Sequence, residues 1–395
     1  MNQLFTYLRG DRTIWVIALM LAIVSLLSVY SSISSLAYKH YDGNTFYYLF
    51  KHGLILSVGM LIMYYVHRIK FTYFSRLSQM AVWLSVVILL LTLIFGANIN
   101  DASRWLRIPI INQNVQPSDF AKIALITFVA RSLALRQDKI KDFRHGVLPV
   151  LLPIILICGL ILPANFSTAV MLFGICLMLM FVGRVAFKHI ALVVGTGVAG
   201  FALLLSLSSV VPELLPRVET WKNRIVNFQN DNDEANYQID HAMMAIQAGG
   251  VLPKGPGHGD SRNYLPHPYS DMIYAFIIEE YGLIIGGMGV LLLYLILLLR
   301  AIRAATRCDK VFGMLMVIGL SFSIVFQALI NMAVAVKLMP VTGQPMPLIS
   351  LGGTSTWLTC LAFGMILSVS RAVEDGAEAP KPEVKVRKKQ DYALS

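Results

Sequence analysis

Apolar runs of about twenty residues, each long enough to cross a bilayer as a helix, recur from one end of the chain to the other. Short basic segments and longer polar segments alternate between them. The pattern predicts about ten spans, at 14–36, 47–66, 77–96, 117–135, 146–162, 166–183, 188–211, 271–299, 311–334 and 347–369. The expected fold class is therefore an all-α polytopic membrane protein, with one large extramembrane loop, 212–270, between the seventh and eighth helices. A loop that long is unusual as a plain connection. The membrane domain covers 1–371, and the Pro-, Lys- and Glu-rich stretch 372–395 reads as a disordered tail. The first run is too long for a signal-peptide core and reads as the first helix.

Charge orients this pattern. Arg9 and Arg12, Arg68 and Lys70, the 131–144 cluster, Arg184 and Lys188, the 300–310 cluster and the 385–389 tail all fall on one side. Loops rich in Lys and Arg face the cytoplasm, so both termini are expected there, in a multi-pass protein of the cytoplasmic (inner) membrane. Composition agrees: 56% of residues are hydrophobic and only 14% charged, against about a quarter charged in soluble domains. The net charge of +11 is explained by these basic loops, and no nucleic-acid motif accompanies it. The four cysteines show neither disulfide nor metal spacing.

The polar motifs gather on the opposite, outer side. Lys51 and His52 sit near its boundary and read as a solvated, snorkelling pair. The loop 97–116 carries Arg104, Trp105 and Arg107, suited either to interfacial anchoring or to clamping a phosphate. It leads into QPSDFAKIALI, where Gln116 and Pro117 open a helix, Ser118 is a candidate cap, and Asp119 and Lys122 share one face. In the large loop, Arg217, Trp221 and Arg224 fall on one face of a short surface helix. Gln238 and the Gly-rich run with Gly250, Lys254, Gly255 and Gly257 follow. These glycines lack the P-loop pattern and instead suit close approach of backbone amides to a pyrophosphate or sugar. Next comes LPHPYSDMIYAFIIEEYG, with Pro266, Ser270, Asp271, Glu279 and Glu280. Ser270 and Asp271 fit a helix N-cap and first turn. Carboxylates at membrane depth also mark functional sites, so Asp271 is read both ways. Glu279 and Glu280 are structural or assembly residues, to be paired with basic groups on neighbouring helices. PVTGQPMPLISLGGTST, with Pro347, Ser350, Gly352 and Gly353, predicts a broken, re-entrant approach to the last helix.

Several of these stretches together resemble the SEDS family (shape, elongation, division and sporulation proteins). LPHPYSDMIYAFIIEEYG is similar to P-x-x-x-S-D-F-I-F-A-x-x-x-E-E-x-G, with Met272 and Tyr274 for the usual Phe pair. QPSDFAKIALI resembles Q-P-S-E-F-A-K-L-A-L, with Asp119 for Glu, and the last motif resembles T-G-x-P-L-P-F-I-S-Y-G-G-S-S, with Leu351 for Tyr. The Gly-rich run fits the family's Y-Q-x-x-x-A-x-x-A-I-x-x-G-G segment. LPANFSTA departs most from its counterpart, Asn165 standing where the family has Asp, and reads as a tight polar turn.

The resemblance implies a peptidoglycan glycosyltransferase that polymerises lipid II on the outer face of the membrane, with a lean toward septal wall synthesis in cell division. Asp271 is then the expected catalytic base. Arg104, Trp105, Gln116, Ser118, Asp119, Lys122, Arg217, Trp221, Arg224, Gln238, Gly250, Lys254, Gly255, Gly257, Pro266, Ser270, Pro347, Ser350, Gly352 and Gly353 are the expected substrate contacts. It also implies a class B penicillin-binding protein transpeptidase and other division proteins as partners. No cofactor is expected beyond a divalent cation, Mg or Mn, on the pyrophosphate, since no dedicated ligand set is visible. A lipid II flippase and a non-catalytic division scaffold are the alternatives.

Overall fold

The structure, a computed structural model, describes residues 8–32, 45–99, 102–108, 113–210, 234–261 and 269–378. Its helices begin with α1 (Arg12–Ser32), α2 (Thr45–Arg68), α3 (Thr72–Phe95) and α4 (Pro117–Leu135). They continue with α5 (Leu148–Ile161), α6 (Phe166–Val182), α7 (Phe187–Val210) and α8 (Glu234–Gly249). Helix α9 (Ile273–Tyr281) then runs through a π-helical segment, Gly282–Gly289, into α10 (Val290–Thr306), followed by α11 (Val311–Ala335) and α12 (Thr354–Glu378). Seven stretches are long and apolar enough to cross a membrane by length and composition. Helices α4, α6 and α7 occupy the other three expected spans. The polytopic helical architecture is the one expected.

Helix α11 is the central post: 72% of its most apolar window is buried, against 28% for α3. Small residues set the closest approaches, as van der Waals packing between membrane helices requires. A Cβ at Gly319 of α11 would lie 2.6 Å from Ile126 of α4 and 2.8 Å from Leu179 of α6. Gly59 of α2 and Gly364 of α12 meet each other's helices in the same way, at Cys360 and Val66. Large apolar side chains left outside, such as Met80, Trp83 and Phe95 on α3, form a surface too extensive for water and suited to lipid.

Four local expectations are corrected. The loop before α4 is a small antiparallel sheet, β1 (Ala97–Ile99), β2 (Ala102–Ile108) and β3 (Gln113–Val115), with Ala97 opposite Trp105 and Leu106 opposite Val115. Its β-branched residues were masked by polar neighbours. The eighth span begins at Ile273, so Asp271 lies in the turn before the helix and Met272 is the N-cap residue. The last helix starts at Thr354, not Pro347, because 340–353 is non-helical with three prolines and Gly343 at φ +63°. That helix also continues to Glu378, past the expected boundary at 371. Glu374 and Asp375 hold it there, accepting from the Gly10 N–H at 2.7 Å and from the Arg9 guanidinium at 3.0 Å.

Candidate functional site

Two non-helical segments meet at one end of the bundle, 269–271 ahead of α9 and 341–353 ahead of α12. Irregular backbone at membrane depth must find partners within the protein, and here each segment supplies them to the other. The Leu351 N–H donates to the Tyr269 carbonyl at 2.9 Å. The Ser350 hydroxyl donates to the Ser270 carbonyl at 2.8 Å while accepting from the Met346 N–H. Asn331 of α11 closes the set, its amide donating to the carbonyls of Asp271, at 2.8 Å, and Gln344, at 2.9 Å. Tyr294 of α10 donates to the Pro347 carbonyl. Beside it the buried Leu348 adopts φ +67°, a left-handed conformation that a leucine keeps only when its surroundings impose it.

This lattice fixes the backbone under Asp271. Its side chain is half-buried and Oδ1 accepts from the Ser270 hydroxyl at 2.9 Å. Among the described residues no Lys or Arg pairs with it. Ser270 is therefore not the N-cap expected; it orients the carboxylate instead. Burial pushes the neighbouring Tyr269 phenol above its ordinary range, with Tyr48 and Asp271 adding to the rise.

Lys122 lies deeper, between α4 and α11. Its ammonium donates to Gln327 Oε1 at 2.7 Å and sits 3.4 Å from Asp119 Oδ1. The Asp119–Lys122 pair is thus formed, with Gln327 as a third member that also donates to the Pro345 carbonyl at 2.8 Å. A small cavity of about 20 Å³ adjoins the trio, and Asp119 Oδ2 has no hydrogen-bond partner among the described residues. Gln116 and Ser118 are buried, the first donating to the second at 3.0 Å. Ser118 therefore does not cap α4, whose N-cap position is Gln116. In LPANFSTA, Asn165 caps α6 by accepting from the Thr168 N–H, and Thr168 accepts from Gln344 at 2.6 Å. The turn expected there is joined to the re-entrant segment.

Glu279 and Glu280 are fully buried, and among the described residues neither has the basic partner expected. They hold the Gly-rich loop. Glu280 Oε1 accepts from the Gly257 N–H at 2.8 Å and from the Ser31 hydroxyl. Glu279 accepts from the N–H groups of Asp260, at 3.0 Å, and Ser261, at 3.2 Å, and from the Ser261 hydroxyl. The Gly255 N–H donates to the Glu280 carbonyl at 2.9 Å, and the Gly250 carbonyl accepts from Leu283. The amides of Gly255 and Gly257 are therefore turned inward onto a helix rather than outward to an anion. Gly249 lies against the α9 backbone at Ile278, where a side chain has no room.

The other expected contacts are dispersed. Trp105 is half-buried on β2, Gln238 half-buried on α8, Lys254 exposed, and Gly352 and Gly353 half-buried ahead of α12. Arg104 lies on β2; its side chain, with Arg217, Trp221, Arg224 and Pro266, lies outside the described residues. His52 corrects the solvated reading, being 1% exposed. The Ser25 hydroxyl donates to the Ile349 carbonyl at 2.7 Å, so His52 Nε2 donates to Ser25, at 2.8 Å. Gln327, Asn331 and Gln344 are the residues sequence reasoning missed. The signal was two amides at i, i+4 in an otherwise apolar helix, a spacing that puts both on one face. Among the described residues no three His, Cys, Asp or Glu side chains group as a metal site.

Residues 11–375 match a family model described as a cell cycle protein, of the FtsW, RodA and SpoVE type. The chain is 30% identical to the stage V sporulation protein E of Bacillus subtilis over 91% of its length and 97% of that protein's. It is 31% identical to the probable peptidoglycan glycosyltransferase FtsW of Geobacter sulfurreducens, over 92% and 95%. Among solved structures it resembles a chain of a peptidoglycan synthase complex that coordinates polymerization and crosslinking, with TM-score 0.72, 23% identity and coverage of 92% and 98%. The rod shape determining protein RodA of Thermus thermophilus gives TM-score 0.64 at 21% identity, over 92% and 97%.

Proposed function

The chain belongs to the FtsW, RodA and SpoVE family of cell cycle proteins, and on that footing we propose that it is a peptidoglycan glycosyltransferase polymerising lipid II for septal wall synthesis. The carrying observation is Asp271, a half-buried carboxylate with no Lys or Arg partner among the described residues, held on a backbone pinned by Asn331 and Ser350. In the reaction the acceptor C4 hydroxyl oxygen bonds to C1 of the donor sugar, and the bond from C1 to the lipid pyrophosphate breaks. The hydroxyl proton passes to Asp271, which acts as general base. The lipid pyrophosphate leaves with the electron pair, and basic groups stabilise its charge. Arg104 on β2 and Lys122 between Asp119 and Gln327 are the sequence-nominated candidates. A divalent cation, magnesium or manganese, would be held by the pyrophosphate oxygens and would help to neutralise the charge that develops on them.

The basic ends of the helices lie together, supporting a cytoplasmic face there. Arg371 of α12 donates to the Arg68 carbonyl at the end of α2, and Arg300 to Asp11 ahead of α1. The Asp271 mouth then opens outside the cytoplasmic membrane. Cross-linking of the strands falls to a class B penicillin-binding protein bound as a partner in the division assembly. Purified protein supplied with lipid II should release a ladder of glycan strands. Lipid II carried across vesicle membranes with no polymer formed is the result that defeats the proposal, in favour of a flippase.

A further inference from the structure

A cavity of about 970 Å³ opens at the far end of the bundle from Asp271. The span that starts at Ile273, two residues past Asp271, ends at Thr306, roughly 50 Å away at helical rise. The cavity is walled by the last turns of α10 and α12, the segment ahead of α1, and the α10–α11 loop. Its frame is built from internal pairs: Arg300 Nε donates to Asp11 Oδ2 at 2.8 Å, and the Asp11 N–H donates to the Ser370 hydroxyl at 3.0 Å. These pairs consume Arg300 and Asp11 and leave others over. Arg303 in the last turn of α10 and Arg307 just past its end line the cavity and pair with no carboxylate among the described residues. Lys310 lines it too, its ammonium 5.8 Å above the Phe71 ring. Exposed Asp309 in the same wall pairs with none of them.

We propose that this cavity binds the phosphodiester headgroup of an anionic phospholipid from the leaflet opposite the Asp271 mouth. The wall carries five basic side chains against three acidic ones, Asp11, Asp309 and Glu374. Its three cations without ion pairs among the described residues suit phosphate oxygens, to which arginine presents paired donors. The volume exceeds what a lone phosphate fills and lies within the range of small-molecule sites. The depth fits as well: Arg303 sits in the last turn of a spanning helix, where headgroups lie, and basic pockets between spans are the setting for such lipids. The Phe71 ring offers an apolar wall to the glycerol. The site is remote from the proposed chemistry, so the two readings stand or fall separately.

The test is native mass spectrometry of the full-length chain, with phosphatidylglycerol, phosphatidylcholine and inorganic phosphate as probes. The wild type should retain phosphatidylglycerol over phosphatidylcholine. The double variant Arg303→Gln/Arg307→Gln should lose about tenfold or more of that retention, at near 1 kcal/mol per basic residue. Arg184→Gln/Lys188→Gln, with the same charge loss at another basic loop of that face, should keep it. Cys308 provides a second readout on the unaltered chain. It lines the cavity, and the other three cysteines are buried, so phosphatidylglycerol should slow its reaction with a maleimide. Equal retention of the two lipids, equal loss in both double variants, displacement by millimolar phosphate, or an unprotected Cys308 would each overturn the proposal.

Discussion

The two ends of the bundle are held by different chemistry. At the Asp271 end, amide and hydroxyl side chains satisfy backbone carbonyls in buried positions, as Asn331, Gln327 and Ser350 do. At the other end charged pairs such as Arg9–Asp375 and Arg371–Asp375 join partly exposed side chains. Neutral hydrogen bonds are directional and leave costly orphans when cut, whereas exposed ion pairs contribute about 0–1 kcal/mol. The first chemistry fixes a geometry; the second tolerates change. A carboxylate proposed as a general base needs the first.

The sharpest contrast lies in Asp271→Asn. It keeps size and the bond from Ser270, so thermal unfolding should be unchanged, while lipid II polymerisation falls by about 10²–10⁴, the usual worth of a general base. Substantial polymer from this variant would remove Asp271 from the mechanism. Asn331→Leu should come next, because it strands the carbonyls of Asp271 and Gln344. Each buried orphan costs about 1–3 kcal/mol, so both the unfolding midpoint and the turnover should drop. A stable, active variant would show that the mouth is held by something else. Gly249→Ala should cost about 1–3 kcal/mol by overpacking, since its methyl would press on the α9 backbone at Ile278. Protease cleavage in the 250–261 loop should rise with it. The smallest effect belongs to Asp375→Asn, which removes two ion pairs at once yet should shift stability by less than about 1 kcal/mol. If Asp375→Asn proved more damaging than Asn331→Leu, the contrast between the two ends would be inverted.

The spans were legible because long apolar runs have one structural solution in a membrane. Asp271 and the re-entrant approach were legible from chemistry out of place: a carboxylate and three prolines at a helix mouth. What stayed hidden were partners. Nothing local in EEYG says that Glu279 and Glu280 accept from the amides of residues 257–261, because the pairing depends on α9 and the loop folding together. Gln327 and Asn331 were absorbed into an apolar run, their polarity averaged away. His52 beside Lys51 looked solvated, since burial of one and not its neighbour follows from helix rotation in the bundle.

The π-helical segment between α9 and α10 carries a mechanical consequence. A π turn holds about one residue more than an α turn, and one residue is about 100° of rotation. At its end the Gly287 carbonyl accepts twice, from the Val290 N–H and from the Tyr274 hydroxyl at 3.1 Å. The upper half of the span, seated on Glu279 and Glu280, is thus indexed out of phase with the lower half that carries Arg300 and Arg303. Tightening the segment to an α-helix would act as a ratchet, turning one half against the other by about a quarter revolution for each residue taken up.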